Sequence, residues 1–544
     1  MSKLPSPEII VYTNYGPIQG LQQYSIYNDY FYSFEGIPYA RPPIGELRFK
    51  DPLPPLHWSC VKDCTRKAEK SVQQNKKMNT IVGNEDCLFL NIYTKAIGSN
   101  DLVPVMLFIH GGGFDSGSSS RQNFGPDYFM MEKVVLVTIN YRVGALGFLS
   151  LKDPELDIPG NAGLRDQLMA LEWVRHNISK FSGNPYNITL FGESAGAASI
   201  HFLMMAPAAK CRFRKAILQS GTALAPWAIN TVENAPFRLA QLNGFTGENN
   251  DKNVLDYLRN LDAYDLVRHN LLTQEEYLAG KMFSFGPVIE PYHRAGCIIS
   301  KHPRDMLSGA WGNRIPIIIG NTSFEGLLYY RYVPADVLSE LHVHPEYLLP
   351  EEVRQCFDLK TQRQIAAGIK KMHFGREEIS LSNILRYCEL LSFKFFLNGT
   401  YKTVEERSKL RTPTFLYRFD FDSPDFNLQR IKYLGHAMRG VAHTDDRSYL
   451  FYSEKAWKLE EESLEFKTIK RMISMWTMFA YDSNPNNELT REVKWLSTHC
   501  YDYRNLKCLN ISDDLIFTRL PELPKLRIWR RVLVAARHAM KSKM

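Results

Sequence analysis

Two largely apolar runs, 103–110 and 134–141, stand out in the first third of the chain, each with β-branched side chains and each followed by a glycine-bearing turn. Largely apolar stretches of this length, without a regular in-out alternation, predict strands buried on both faces, as in the middle of a parallel sheet covered by helices. A third run, 188–192, follows the turn signal Gly183-Asn184-Pro185 and leads into Ser194-Ala195-Gly196-Ala197-Ala198-Ser199, small residues that can open a helix tightly against a sheet. Between the second and third runs, Leu164, Leu168, Leu171, Val174 and Ile178 recur near a 3.6-residue period, so 161–181 reads as an amphipathic helix. Strand, helix, strand, sharp turn, helix is a βαβ-type order. Further strands are expected at 316–320 and 413–421, while the more polar 233–310 and 350–410 read as mainly helical covers over a pocket. At the far end Leu526, Trp529, Val532, Leu533 and Ala536 recur at helical spacing among Arg527, Arg530, Arg531 and Arg537, which predicts a basic amphipathic helix over about 525–542.

No repeat, low-complexity tract or Gly/Ser linker divides the chain, so residues 1–544 read as one large α/β domain. With 44% hydrophobic and 23% charged residues, a disordered or fibrous protein is excluded. Seven of the 66 Lys and Arg residues fall in 525–544, which has no Asp or Glu, and the remaining 59 face 58 acidic residues. The net charge of +8 is therefore a property of the tail, and no nucleic-acid surface is expected. The tail has two readings: it closes the domain, or it contacts an anionic membrane surface peripherally. The first residues lack an apolar leader, and nine cysteines, an odd number widely scattered, fit reduced thiols. An intracellular, cytoplasmic location is the expectation; a secreted protein would require a leader already removed. Five Asn-x-Ser/Thr sequons, beginning at Asn177, Asn187, Asn321, Asn398 and Asn510, are then expected to stay bare.

Chemistry enters at Gly192-Glu193-Ser194-Ala195-Gly196, a G-x-S-x-G pentapeptide between a predicted strand and a predicted helix. In that context the serine occupies a strained turn that lifts its hydroxyl above the strand ends. His110-Gly111-Gly112-Gly113-Phe114 follows another predicted strand, where residues without side chains let backbone N–H groups approach a developing oxyanion. A serine nucleophile needs a histidine base and a carboxylate to orient it, in the chain order serine, acid, histidine for this kind of turn. His443, in a small-residue turn, is one candidate beside His293 and His436; Glu325, after an apolar strand, is one beside Glu290 and Asp305. The pattern of the residues leaves both choices open.

These segments together resemble the type-B carboxylesterases, the cholinesterase-like group of α/β hydrolases. Phe34-Glu35-Gly36-Ile37-Pro38-Tyr39-Ala40, Glu85-Asp86-Cys87-Leu88-Phe89-Leu90-Asn91, the glycine loop, Gly160-Asn161-Ala162-Gly163, the serine turn and the turns holding Glu325 and His443 occur in that family's order. Gly125-Pro126-Asp127-Tyr128-Phe129 and Cys508-Leu509-Asn510-Ile511-Ser512 are most similar to insect alpha-esterases. The resemblance implies an α/β-hydrolase fold, with a central, mostly parallel, twisted sheet flanked by helices and helical insertions over the pocket. It implies Ser194 as nucleophile, Glu325 as acid and His443 as base, with the N–H groups of Gly112, Gly113 and Ala195 as oxyanion hole. Trp227 is implied on the acyl side of the pocket, with Met282 and Phe283 nearby. Small-molecule esters are the implied substrates, organophosphates and carbamates the implied inhibitors, and no metal or cofactor is called for.

Departures from the family narrow the picture. Secreted relatives pair the cysteine matching Cys87 with one upstream, a position that Ser71 occupies here, so that disulfide is not carried over. Residues 59–86 hold no aromatic side chain, which removes the cation–π platform that choline esters use. Asp446 stands where many relatives carry Glu. A hormone-ester esterase of the juvenile hormone type, or a non-catalytic binding or scavenging protein on the same fold, are the alternatives to a xenobiotic esterase.

Overall fold

In a computed structural model, which describes residues 8–75, 78–331, 333, 335–498 and 505–543, the apolar runs become the middle of a thirteen-stranded sheet. In chain order its main strands are β1 (Glu8–Tyr12), β2 (Pro17–Tyr24), β3 (Tyr30–Pro38), β4 (Phe89–Thr94), β5 (Val103–Ile109), β6 (Val135–Ile139), β7 (Gly183–Glu193), β8 (Lys215–Gln219), β9 (Ile317–Thr322), β10 (Thr414–Phe419), β11 (Lys507–Ile511) and β12 (Leu515–Arg519). They lie in the order β1-β2-β3-β4-β6-β5-β7-β8-β9-β10-β11-β12, with the short strand Lys62–Asp63 beside β2. Neighbours from β6 through β11 run parallel; β1 to β4 and β12 extend the two edges antiparallel.

Alternate residues of β5 explain its unbroken apolar run. Val105, Leu107 and Ile109 belong to one core, Met106 and Phe108 to the core on the opposite face, because successive side chains of a strand point to opposite sides. Helices α1 (Ala162–Asn177) and α2 (Ala195–Met205) feed the first core and α6 (Leu464–Asp482) the second. The helical stretch after 350 includes α3 (Leu359–Phe374), α4 (Ile384–Ser392) and α5 (Asn398–Arg407), the last two joined by a π-helical turn, Phe393–Leu397.

The expectation for 233–310 needs correction. α-Helix there is confined to Ala235–Leu242, Asp251–Asn260, Gln274–Leu278 and Pro303–Met306, with single 3₁₀ turns at Asp265–Val267 and Leu307–Gly309, and 279–302 is irregular. Gly280, Gly286, Pro287, Pro291 and Gly296 fall inside that irregular stretch, and closely spaced prolines and glycines deny a helix its N–H donors and its backbone restriction.

The last described element is helix α7 (Leu523–Lys543). Leu526, Trp529 and Ala536 are buried in the first core, with Val532 and Leu533 packed partly against it. The Trp529 indole N–H donates to His373 Nε2 at 3.3 Å, Lys525 Nζ meets Glu389 at 2.5 Å, and Arg530 meets Glu405 at 2.5 Å. The apolar stripe is thus spent on closing the fold. Among the described residues no helix is long and apolar enough to cross a membrane, and no disulfide joins the described cysteines; Cys500 lies outside them. The Cys87 thiol sits against the Ser71 hydroxyl, and burial pushes it well above an ordinary thiol.

Candidate active site

Parallel strands deliver their C-terminal ends to one edge, which is where an α/β sheet builds its sites. At that edge Ser194 separates β7 from α2 with φ 55° and ψ −123°, a left-handed backbone that costs a non-glycine residue on the order of 1–3 kcal/mol. The turn is held in place by its surroundings. Ser194 N–H donates to the carbonyl of Gln219 at the end of β8 (2.8 Å), and a methyl group on Gly196 would lie 1.9 Å from the Ile109 carbonyl oxygen. Only glycine lets α2 start this close to the end of β5.

Glu325 opens the 3₁₀ turn Glu325–Tyr329 just past β9 and is fully buried. Its Oε1 accepts from the Asn321 amide (3.0 Å) and from the Thr322 N–H (2.9 Å), which turns Oε2 toward His443 Nδ1, 2.5 Å away. The loop bearing His443 is knitted by Asp445, whose carboxylate accepts from the N–H groups of Gln429, Arg430 and Ala442 at 2.7–3.1 Å. Burial alone would depress the His443 imidazole; the Glu325 carboxylate in contact, with Glu193 and Asp446 adding to it, outweighs burial and raises it above the usual value near 6.5. Asp446 also ties β8 to β10, accepting from Gln219 Nε2 at 2.9 Å and from the Tyr417 hydroxyl at 2.8 Å. That is the work the shorter carboxylate does here.

The competing candidates fall elsewhere. His293 and Asp305 are exposed, and His436 is exposed and paired with Asp425. Glu290 is buried in an ion pair with Arg165 at 2.7 Å and accepts from Asn161 at 3.2 Å, a structural role.

The glycine loop follows β5 and is clamped to the serine turn: Gly111 N–H donates to Glu193 Oε1 at 3.0 Å. His110 stacks on Tyr141 at 4.4 Å, and the Tyr141 hydroxyl donates to the His110 carbonyl at 2.9 Å. A methyl group on Gly113 would fall 2.1 Å from the Phe283 ring, so that ring lies directly on the loop. Among the described residues no acceptor pairs with the N–H groups of Gly112, Gly113 or Ala195, the last being the first residue of α2, where helix donors are unspent. Glu193 escaped the sequence reading because its partner lies 82 positions away.

Trp227, Met282 and Phe283 line one cavity together with Phe395 and Lys394. The Trp227 indole N–H donates to the Phe395 carbonyl at 2.9 Å, and Phe396 stands 4.5 Å from the His443 ring. The aromatic residues of the π turn were not singled out from the sequence, since nothing in a helical stretch announces a one-residue widening.

The chain matches the Carboxylesterase family model over residues 7–529. It is 35% identical to Esterase B1 of Culex pipiens over 97% of this chain and 98% of that one, and 33% identical to the juvenile hormone esterase of Tribolium castaneum over 92% and 88%. The crystal structure of Manduca sexta juvenile hormone esterase with OTFP covalently attached superimposes with a TM-score of 0.85 at 28% identity, covering 97% of this chain and all of that one. The mostly parallel sheet with flanking helices is accordingly an α/β-hydrolase fold. Family, relatives and fold converge along nearly the full length of the chain, which therefore belongs to the carboxylesterase family and is a carboxylic ester hydrolase.

Proposed function

We propose that this protein hydrolyses lipophilic or xenobiotic carboxylic esters of short to medium acyl chain, working as a single unit through an acyl-enzyme on Ser194. The observation that carries the reading is the 2.5 Å Glu325–His443 contact at the same strand edge as the strained Ser194 turn. In this scheme His443 takes the Ser194 proton as the oxygen attacks the ester carbonyl, and Glu325 stabilises the imidazolium. The N–H groups of Gly112, Gly113 and Ala195 receive the oxyanion. Protonated His443 then releases the alcohol, and water repeats the sequence on the acyl-enzyme. Trp227, Met282 and Phe283 border the acyl group.

An organophosphate would esterify the same hydroxyl, and the product would resist water, since a tetrahedral phosphorus fits poorly among groups arranged for a planar carbonyl. Carbamates would act through the same oxygen. Titration with diethyl 4-nitrophenyl phosphate is expected to release one equivalent of nitrophenol per chain while esterase activity falls to zero. Full activity after an equimolar dose would overturn the serine mechanism and leave a binding or scavenging role.

A hormone ester as substrate is the second reading. It is supported by the relatives named juvenile hormone esterases and by the neighbour that carries OTFP covalently.

We infer further that the protein works without N-glycans, as an intracellular enzyme would. Asn177, Asn321 and Asn398 are buried; the Asn187 and Asn510 side chains accept from Lys215 and Arg418. A glycan on Asn321 would also sever its bond to Glu325. Active protein expressed through a secretory pathway should therefore show no mobility change on deglycosidase treatment, and an active, fully glycosylated form would contradict the idea. With the apolar stripe of α7 occupied, a peripheral membrane contact would rest on its basic face alone.

A further inference from the structure

Lys394 is an anomaly in the wall of the cavity beside the site. It is 4% exposed and sits in the π turn Phe393–Leu397, whose other four residues are Phe or Leu. One turn thus carries both Phe396, packed on His443 at 4.5 Å, and Lys394, which lines the cavity shared with Trp227 and Phe283. A widened helical turn of this kind is favoured where a side chain must be re-aimed at a functional site.

The amine is underused by the protein. Its Nζ donates to the Tyr347 carbonyl at 2.8 Å and stands 5.3 Å from the Phe395 ring centre. Among the described residues no carboxylate lies within ion-pair distance of it. An ammonium has three donors, and a buried one is stable only when they are met. Glu351 lines the same cavity with its oxygens bound to Thr231 and Gln355, and its charge acts on the amine in the opposite sense to burial and Arg354; Lys281 donates to the Thr231 carbonyl and pairs with Glu276. Burial, with Arg354 nearby, pushes the Lys394 amine down to about 7, so an anion arriving in the cavity would restore its proton and gain a charge-assisted bond. Gly280 also lines the cavity, and a methyl group on it would come within 3.3 Å of Nζ, so a side chain at this position would crowd the amine.

Phe283, whose ring lies on Gly113 of the glycine loop, lines this cavity together with Trp227, Phe395 and Lys394. We infer that Lys394 is a specificity-determining residue, and that the cavity takes an acyl chain ending in a carboxylate, so that half-esters of medium-chain dicarboxylic acids are a preferred substrate class. The inference rests on the reading above that this side of the site receives the acyl group.

The test compares mono-p-nitrophenyl adipate and suberate with p-nitrophenyl hexanoate and octanoate on the full chain; these chains are too long for rapid intramolecular anhydride formation. Wild type is expected to favour the carboxylate-ended member of each pair in kcat/KM by about tenfold or more, the scale of one charge-assisted hydrogen bond. In Lys394→Met that ratio should fall by at least the same factor, and in Lys394→Arg part of it should return. Equal ratios in wild type and Lys394→Met would overturn the proposal. So would a wild type that shows no preference, a result that needs no folded variant. If wild type hydrolyses none of the four esters, it is the esterase reading that fails.

Discussion

Ser194→Ala is expected to lower kcat toward p-nitrophenyl butyrate by about a millionfold while leaving the fold and KM nearly as they are. The size follows from the unit character of such a site: with the nucleophile gone, base and acid have nothing to activate, and removal of the serine costs about as much as removal of the whole constellation. The residue of activity, about 10³-fold over water, would come from the oxyanion donors and from binding. The variant should fold because the side chain does little structural work. The turn is fixed by backbone, through Ser194 N–H to Gln219, through Ala198 N–H to the Ser194 carbonyl at 3.0 Å and through the close approach of Gly196 to Ile109. Alanine meets the same backbone demand at φ 55° as serine does. Measurement of kcat by initial rates, with melting temperature as the folding control, decides it: a variant within tenfold of wild type, at unchanged melting temperature, would remove Ser194 from the chemistry.

The features that sequence made legible are those written in a few adjacent residues. The serine turn, the glycine loop and the runs that became β5, β6 and the end of β7 carry their own signals, because strand burial, sharp turns and backbone access each demand local residue types. Acid and base are another matter. Glu325 and His443 are 118 positions apart, and Glu290, which looked equivalent, is set aside only by Arg165, 125 positions from it. No local pattern encodes a partner at that distance, and the resemblance to a family, not the residue pattern, pointed to the pair.

The tail shows the same limit from the other side. Its stripe of Leu526, Trp529 and Ala536 was plain, but an amphipathic face reads identically whether protein or lipid covers it. The contacts that bury it, from His373, Glu389 and Glu405 on α3, α4 and α5, are far away in the sequence. The stretch 279–302 is polar enough to read as helix, yet its prolines and glycines decide its irregular backbone. Lys394 was visible too, as a lone charge among Phe393, Phe395, Phe396 and Leu397; a buried cation in an aromatic run is a signal that periodicity overlooks.

Glu325→Gln should be the next most damaging change, a loss of about 10⁴-fold in kcat with little change in shape. The hydrogen bonds around the carboxylate say why. Asn321 Nδ2 and Thr322 N–H both donate to Oε1, so a glutamine must place its carbonyl oxygen there and present its NH₂ group to His443 Nδ1. That nitrogen is then forced to accept, the ring proton moves to Nε2, and the imidazole can no longer take a proton from Ser194. The pH profile gives a second, independent readout. In wild type the Glu325 charge holds the His443 imidazole above its usual value against the opposing effect of burial. Since the base must be neutral to act, kcat/KM should fall as pH drops through a limb lying above 6.5. Without the carboxylate's charge, burial is left to dominate, and the limb of the residual activity should move to lower pH. Glu325→Asp, which keeps the charge on a shorter arm, should hold the limb high while losing rate. A Gln variant with near-wild-type kcat, or with its acid limb unmoved, would mean that the 2.5 Å contact orients the loop and has no part in the proton's path.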